Sequence, residues 1–136
     1  MKPKFLLLAL IITSCTTPDD PIPFTGDMLN MINQANPGYI IDERLMQAAK
    51  VQAEHMDSVH NIDHTWADGT KSAERIAATG FIGAAAECTA FGYKDEASVM
   101  QGWMNSYPHR EIIMGEYNRV GYARKNFYWC LVVGRR

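Results

Sequence analysis

The run Phe127-Tyr128-Trp129-Cys130-Leu131-Val132-Val133 is apolar at every position. A strand turns successive side chains to opposite faces, so this one has no face to give to water. Any sheet built around it must be covered on both sides by other elements. Arg119 to Arg124 precedes the run across Lys125-Asn126 and reads as the partner arm of a hairpin.

The covering layers are legible upstream. Asp27 to Ala35 reads as a short helix with Met28, Leu29, Met31 and Ile32 on its apolar side, ended by Asn36-Pro37-Gly38. Asp42 is placed to cap a second helix running to about His60. There Leu45, Ala49, Ala53 and Met56 keep spacings of four and three and form one buried stripe. Ser72 to Thr79 reads as a short helix closed by Gly80, and Glu87 to Tyr93 as a strand. Asp95 caps a further helix to about Ser106, and Pro108 starts a last helical turn through Met114. The expected class is α+β, a three-layer α-β-α sandwich with a small central antiparallel sheet.

The N-terminus belongs to a different regime. Lys2 and Lys4 precede the apolar run Phe5 to Ile12, and Thr13-Ser14-Cys15 follows, the layout of an export signal. Eight apolar residues are too few to cross a bilayer core of ~30 Å as a helix. Ile12-Thr13-Ser14-Cys15 resembles a bacterial lipobox, which predicts cleavage before Cys15 and lipidation of that residue. Residues 1–14 are then the leader, 15–26 a proline-rich tether and 27–136 the domain. Thr16 follows the Cys where many inner-membrane lipoproteins carry Asp, so the expected location is the outer membrane or cell surface. The chain left after cleavage has eleven Lys and Arg against fifteen Asp and Glu, a net charge of −4. It has no basic block, which excludes a nucleic-acid partner.

Cys88 and Cys130 are an even pair in a domain expected outside the cytoplasm. Oxidising surroundings predict a disulfide, worth ~2–4 kcal/mol, if the strands that carry them are close neighbours. Two separate buried thiols are the alternative.

Ordered pieces along the chain carry a resemblance. They are Arg44-Leu45-Met46-Gln47-Ala48-Ala49, His64-Thr65 with Asp68-Gly69, Arg75-Ile76 with Gly80-Phe81, and Ala86-Glu87. Trp103-Met104-Asn105-Ser106 with His109-Arg110, Val120-Gly121 and Tyr128-Trp129 complete the set. From about Asp27 to Gly134 the chain resembles the CAP superfamily in its bacterial branch. That superfamily also holds cysteine-rich secretory proteins, insect venom allergens and plant pathogenesis-related proteins. The resemblance implies a cavity lined by two His and two acidic residues. His64, Glu87 and His109 match three of those positions. Ser106 stands where the second acid would be, and Cys88 replaces the Asn that usually follows the first.

Two imidazoles and a carboxylate are zinc-ligand types, so His64, Glu87 and His109 are the candidate metal set. A metal with an open position would activate water, and the same trio without metal suits acid–base work. The bland alternative is a mutual hydrogen-bond network lining a cavity. His60 and His64, four apart, are a weaker pair, because Asp63 and the loop after it suggest that the helix has ended. His55 reads as solvated and Trp66 as a groove wall. Two functions follow. The preferred one is a membrane-anchored, non-catalytic module that uses the groove at His64, Glu87, Ser106 and His109 to hold a lipid, a peptide or a partner, as the resemblance implies. It requires no cofactor. The other is a divalent-metal-dependent hydrolase of peptides or the cell envelope, which requires zinc on His64, Glu87 and His109.

Overall fold

The computed structural model describes residues 24–136; the predicted leader, Cys15 and the tether up to residue 23 lie outside the described residues. The elements in chain order are α1 (Met28–Ala35), β1 (Ile40–Ile41), α2 (Glu43–Val59), α3 (Ser72–Ala78), β2 (Ala85–Phe91), α4 (Glu96–Asn105), α5 (Tyr107–Ile113), β3 (Arg119–Lys125) and β4 (Tyr128–Gly134). They form one four-stranded sheet in the order β1-β3-β4-β2. The three long strands are antiparallel. The short β1 lies parallel to β3, pairing Ile40 with Arg119 and Ile41 with Val120, so the sheet is mixed at that edge.

Every residue of β4 is buried, as its sequence requires. Tyr128, Cys130 and Val132 face Leu45, Ala49, Ala53 and Met56 of α2, with Ile76 of α3. Trp129, Leu131 and Val133 face the other way, into Met28, Met31 and Ile32 of α1, Val99, Met100 and Trp103 of α4, and Ile113 of α5. Each fully buried side chain of this size contributes ~1.5–3 kcal/mol relative to exposure, so the two cores dominate the stabilising side. The expected α-β-α sandwich is present.

Local signals set the boundaries. Asp27 caps α1 by accepting from Asn30 N at 2.9 Å, and Asp42 caps α2 by accepting from Arg44 N at 2.9 Å. His60 ends α2 in the left-handed region at φ 53°, so His60 and His64 share no helix. The strand expected from Glu87 begins two residues earlier, at Ala85, and stops at Phe91. Gly121 faces the backbone of α2, and a β-carbon there would run into Leu45 C and Met46 N. That missing side chain lets α2 lie directly on β3.

The expected disulfide is absent: Cys88 and Cys130 are both free and buried. Their strands are neighbours, but the register pairs Cys88 with Leu131 and Thr89 with Cys130. Directly paired residues share a face, so a one-residue offset sends the two sulfurs to opposite sides of the sheet. Cys88 sits in the α1/α4 core and Cys130 in the α2 core. No rotamer brings the sulfurs together across the backbone. Burial pushes the Cys88 thiol up to about 12 and raises Cys130 as well, so neither is a ready nucleophile.

Two outcomes test this packing. Alkylation of the denatured, unreduced protein should label both Cys88 and Cys130, and a cross-linked peptide joining them in a non-reducing map would contradict the register. Gly121→Ala should lower the unfolding free energy by at least ~1–3 kcal/mol, measured in urea, because the methyl meets backbone rather than a movable side chain.

Candidate functional site

His64 lies in the loop between α2 and α3, and three side chains hold that loop. Gln52, fully buried within the α2 stripe, donates from Nε2 to Asp63 O at 3.0 Å and accepts Trp66 Nε1 at 2.8 Å. Thr89 Oγ1 on β2 donates to Ile62 O at 2.9 Å. Arg75 Nη1 on α3 donates to His64 O at 2.8 Å. The backbone beneath His64 is therefore tied to both helices and to the sheet. Trp66 packs between partners: the His55 ring stacks on it at 4.0 Å, and the Arg75 guanidinium lies 5.0 Å from its centroid. His55 is a half-buried stacking residue, not the solvated side chain its flanking acids suggest.

Glu87 is the centre of the constellation. It rises from β2, and its side chain is only 2% exposed. Arg75 Nη2 donates to Glu87 Oε1 at 3.0 Å and to Oε2 at 3.1 Å. His64 Nδ1 lies 2.9 Å from Oε1. A carboxylate only accepts, so Nδ1 carries the proton in this contact. The imidazole stands on the outer side with its side chain 49% exposed, whereas Arg75 is 3% exposed. A buried carboxylate is costly unless it is paired and hydrogen-bonded, and here one guanidinium and one imidazole do both. Sequence reading missed Arg75 and Gln52 as site residues. A charged residue at an internal helix position and a Gln on the α2 stripe were the available signals.

Ser106 and His109 form a second pair. Ser106 ends α4 and precedes α5, and Pro108 fits the first turn of α5 because that position needs no amide donor. The Ser106 hydroxyl makes no capping bond and instead meets His109 Nδ1 at 2.9 Å. No hydrogen bond joins this pair to His64 or Glu87 among the described residues. The link is electrostatic: desolvation, then the nearby His64 charge, lowers the His109 pKa below its usual 6.5. The bond to Glu87 outweighs desolvation at His64 and raises its pKa above 6.5.

The three-ligand metal set does not assemble. Both Glu87 oxygens accept from Arg75, and His64 turns Nδ1 to that carboxylate. Among the described residues, no group of three or more His, Cys, Asp or Glu side chains is arranged to hold a metal ion. What remains is Nε2 of His64 and Nε2 of His109, two neutral donors where a catalytic zinc takes three protein ligands. The residues present do not fit a resident catalytic metal.

Residues 37–130 match the family described as the cysteine-rich secretory protein family, abbreviated CAP. The chain belongs to that family. Its fold is shared by an extracellular protein containing an SCP domain from Bacillus anthracis, with a TM-score of 0.75 and 18% identity over 80% of this chain. An outer surface protein of Borrelia burgdorferi aligns over 72% of this chain and 77% of its own, with a TM-score of 0.65 and 25% identity. A cysteine-rich secretory protein of Staphylococcus aureus gives 0.60 at 15% identity over 80% of this chain. This CAP domain spans only 39% of the Bacillus chain and 36% of the Staphylococcus chain. No curated protein matches the sequence closely enough to carry an assignment.

The buried pair and the two imidazoles make distinct predictions. Arg75→Met should cost ~3–5 kcal/mol of stability in urea, since it strands the Glu87 charge, and Arg75→Lys should cost less. In an NMR titration His64 should turn over above pH 6.5 and His109 below it. The sign for His64 follows from its raised value. Its stabilising contribution is complete below pH 6.5, the unfolded value, and is lost as pH rises through the folded value. His109 acts oppositely, and its contribution is lost as pH falls below 6.5. Glu87→Gln should bring the His64 midpoint down; an unmoved midpoint would break the assignment.

Proposed function

We propose that this CAP domain is an exported, membrane-anchored, non-catalytic binding module, tethered through lipidated Cys15. The export reading rests on the leader sequence and on relatives described as extracellular or as outer surface proteins. No described helix is long and apolar enough to cross a membrane.

The observation that carries the binding reading is the state of Glu87. Its two oxygens are committed to Arg75 and His64, which leaves no free carboxylate base at this position. The groups left to a ligand are His64 Nε2, His109 Nε2 and the Ser106 hydroxyl. Separately, Trp66 and Arg75 border an open hollow of about 380 Å³ between α2 and α3, lined further by Gln47, Val51, Thr70, Glu74, Ala78 and Thr79 and not by His64, Ser106 or His109. A hollow with an apolar floor edged by Gln47, Glu74 and Arg75 suits a ligand with an apolar body and a polar end, such as a lipid or an apolar peptide. The metal-dependent hydrolase is the weaker reading, because its ligand set is short by the carboxylate.

The test is retention of lipids and peptides from a cell-envelope extract by the purified protein, read by mass spectrometry. His64→Ala with His109→Ala should reduce the retained species by about tenfold or more, the equivalent of one or two lost hydrogen bonds. Turnover of any substrate, abolished by both changes, would refute the module.

A further inference from the structure

We infer that Arg75 is the resident cation of this site: its guanidinium occupies the place at Glu87 that a divalent metal would need, and so sets the site's specificity against metals. The inference deepens the binding reading and rests on the same three side chains. Arg75 Nη2 sits 3.0 Å and 3.1 Å from the two Glu87 oxygens, which uses the carboxylate in the bidentate fashion a metal would. Nη1 is fixed on the other side by His64 O at 2.8 Å and Thr70 O at 3.3 Å. Both backbone carbonyls belong to the loop that carries His64, so the guanidinium also holds that loop against β2. The remaining nitrogen, Nε, is the one buried side-chain nitrogen or oxygen without a partner among the described residues. Arg75 thus leaves a donor unsatisfied while meeting Glu87 in full. Its position follows from the carboxylate and the loop, not from complete hydrogen bonding of its own.

A guanidinium cannot lose its proton in this setting, so it is a permanent charge. A zinc ion bonded to Glu87 would have to come within ~2.0–2.2 Å of an oxygen that already has Arg75 beside it. Two cations that close, in a region almost without water, repel strongly. The carboxylate therefore serves His64 as an acceptor that fixes its ring and its tautomer, while Arg75 keeps metals off that carboxylate. Removing the guanidinium reverses the logic. Glu87 would then face an emptied space with an uncompensated negative charge, a start for a metal site that His64 could join once Nδ1 gives up its proton.

The readout is a gain, which a merely structural role would not produce. Zinc is titrated calorimetrically into the native protein and into Arg75→Ala, Arg75→Lys and Glu87→Gln. Native protein should show zinc affinity that Glu87→Gln leaves unchanged. Arg75→Ala should bind zinc about tenfold more tightly or better, and adding His64→Ala or Glu87→Gln should erase the gain. Arg75→Lys keeps the charge and should behave like native protein. The inference is overturned if folded Arg75→Ala, checked by circular dichroism, binds zinc no more tightly than native. It is equally overturned if native protein binds zinc and Glu87→Gln weakens that binding about tenfold or more. Should Arg75→Ala not fold, the comparison of native with Glu87→Gln decides alone. Zinc titration reports on Arg75 whichever way the envelope-extract experiment falls, so the two readings fail separately.

Discussion

β4 has no wet side, and that constraint places the other layers. Seven consecutive buried residues must be covered above and below, so α2 and α3 take one face and α1, α4 and α5 take the other. Neither core is optional, since stripping either would leave half of β4 in water. Gly121 is the local concession that this requires, because it lets the α2 backbone come down onto β3 without a side chain between them. The same two-sided burial leaves β2 at a sheet edge, where a loop on one side and α5 on the other can reach it. The site is built at that edge.

There the physics changes from apolar packing to charge satisfaction. Glu87 alternates along β2 between two apolar neighbours and points into a region from which water is nearly excluded. Arg75 answers its charge, and His64 takes a second lone pair of Oε1. The network then propagates through Arg75 to the His64 and Thr70 carbonyls, and through Trp66 to Gln52. A loop of more than ten residues gains a defined shape from polar contacts rather than from a core of its own. In the proposed binding role, rigid placement of an imidazole at the surface would leave less ordering to be done when a ligand arrives.

Much of this was legible from residues alone. Capping by Asp42 and Asp95 and the α2 stripe depend on neighbours within one or two turns, so spacing reveals them. β1 was not legible, because two residues cannot show an alternation. The Cys88–Cys130 pair misled for a related reason. Cysteine count says that two thiols exist, but only the register says which face each occupies, and an offset of one residue inverts the answer. His64, Glu87, Ser106 and His109 were identifiable as types, and the three-residue spacing of Ser106 and His109 allowed their contact, but the division of the four into two separate pairs was not legible. His64 meets Glu87 across 23 positions, while Ser106 meets His109 across only three.

The sequence by itself determined the layers, the helix caps and the family, because these rest on local periodicity and on ordered short pieces. Tertiary structure decided the chemistry of the site. Arg75 meets Glu87 only because α3 and β2 pack together, and that contact converts a nominal metal ligand into the acceptor half of a buried ion pair. Charge compensation in a region without water depends on which groups lie within about 3 Å of each other, a quantity set by packing and not by order along the chain.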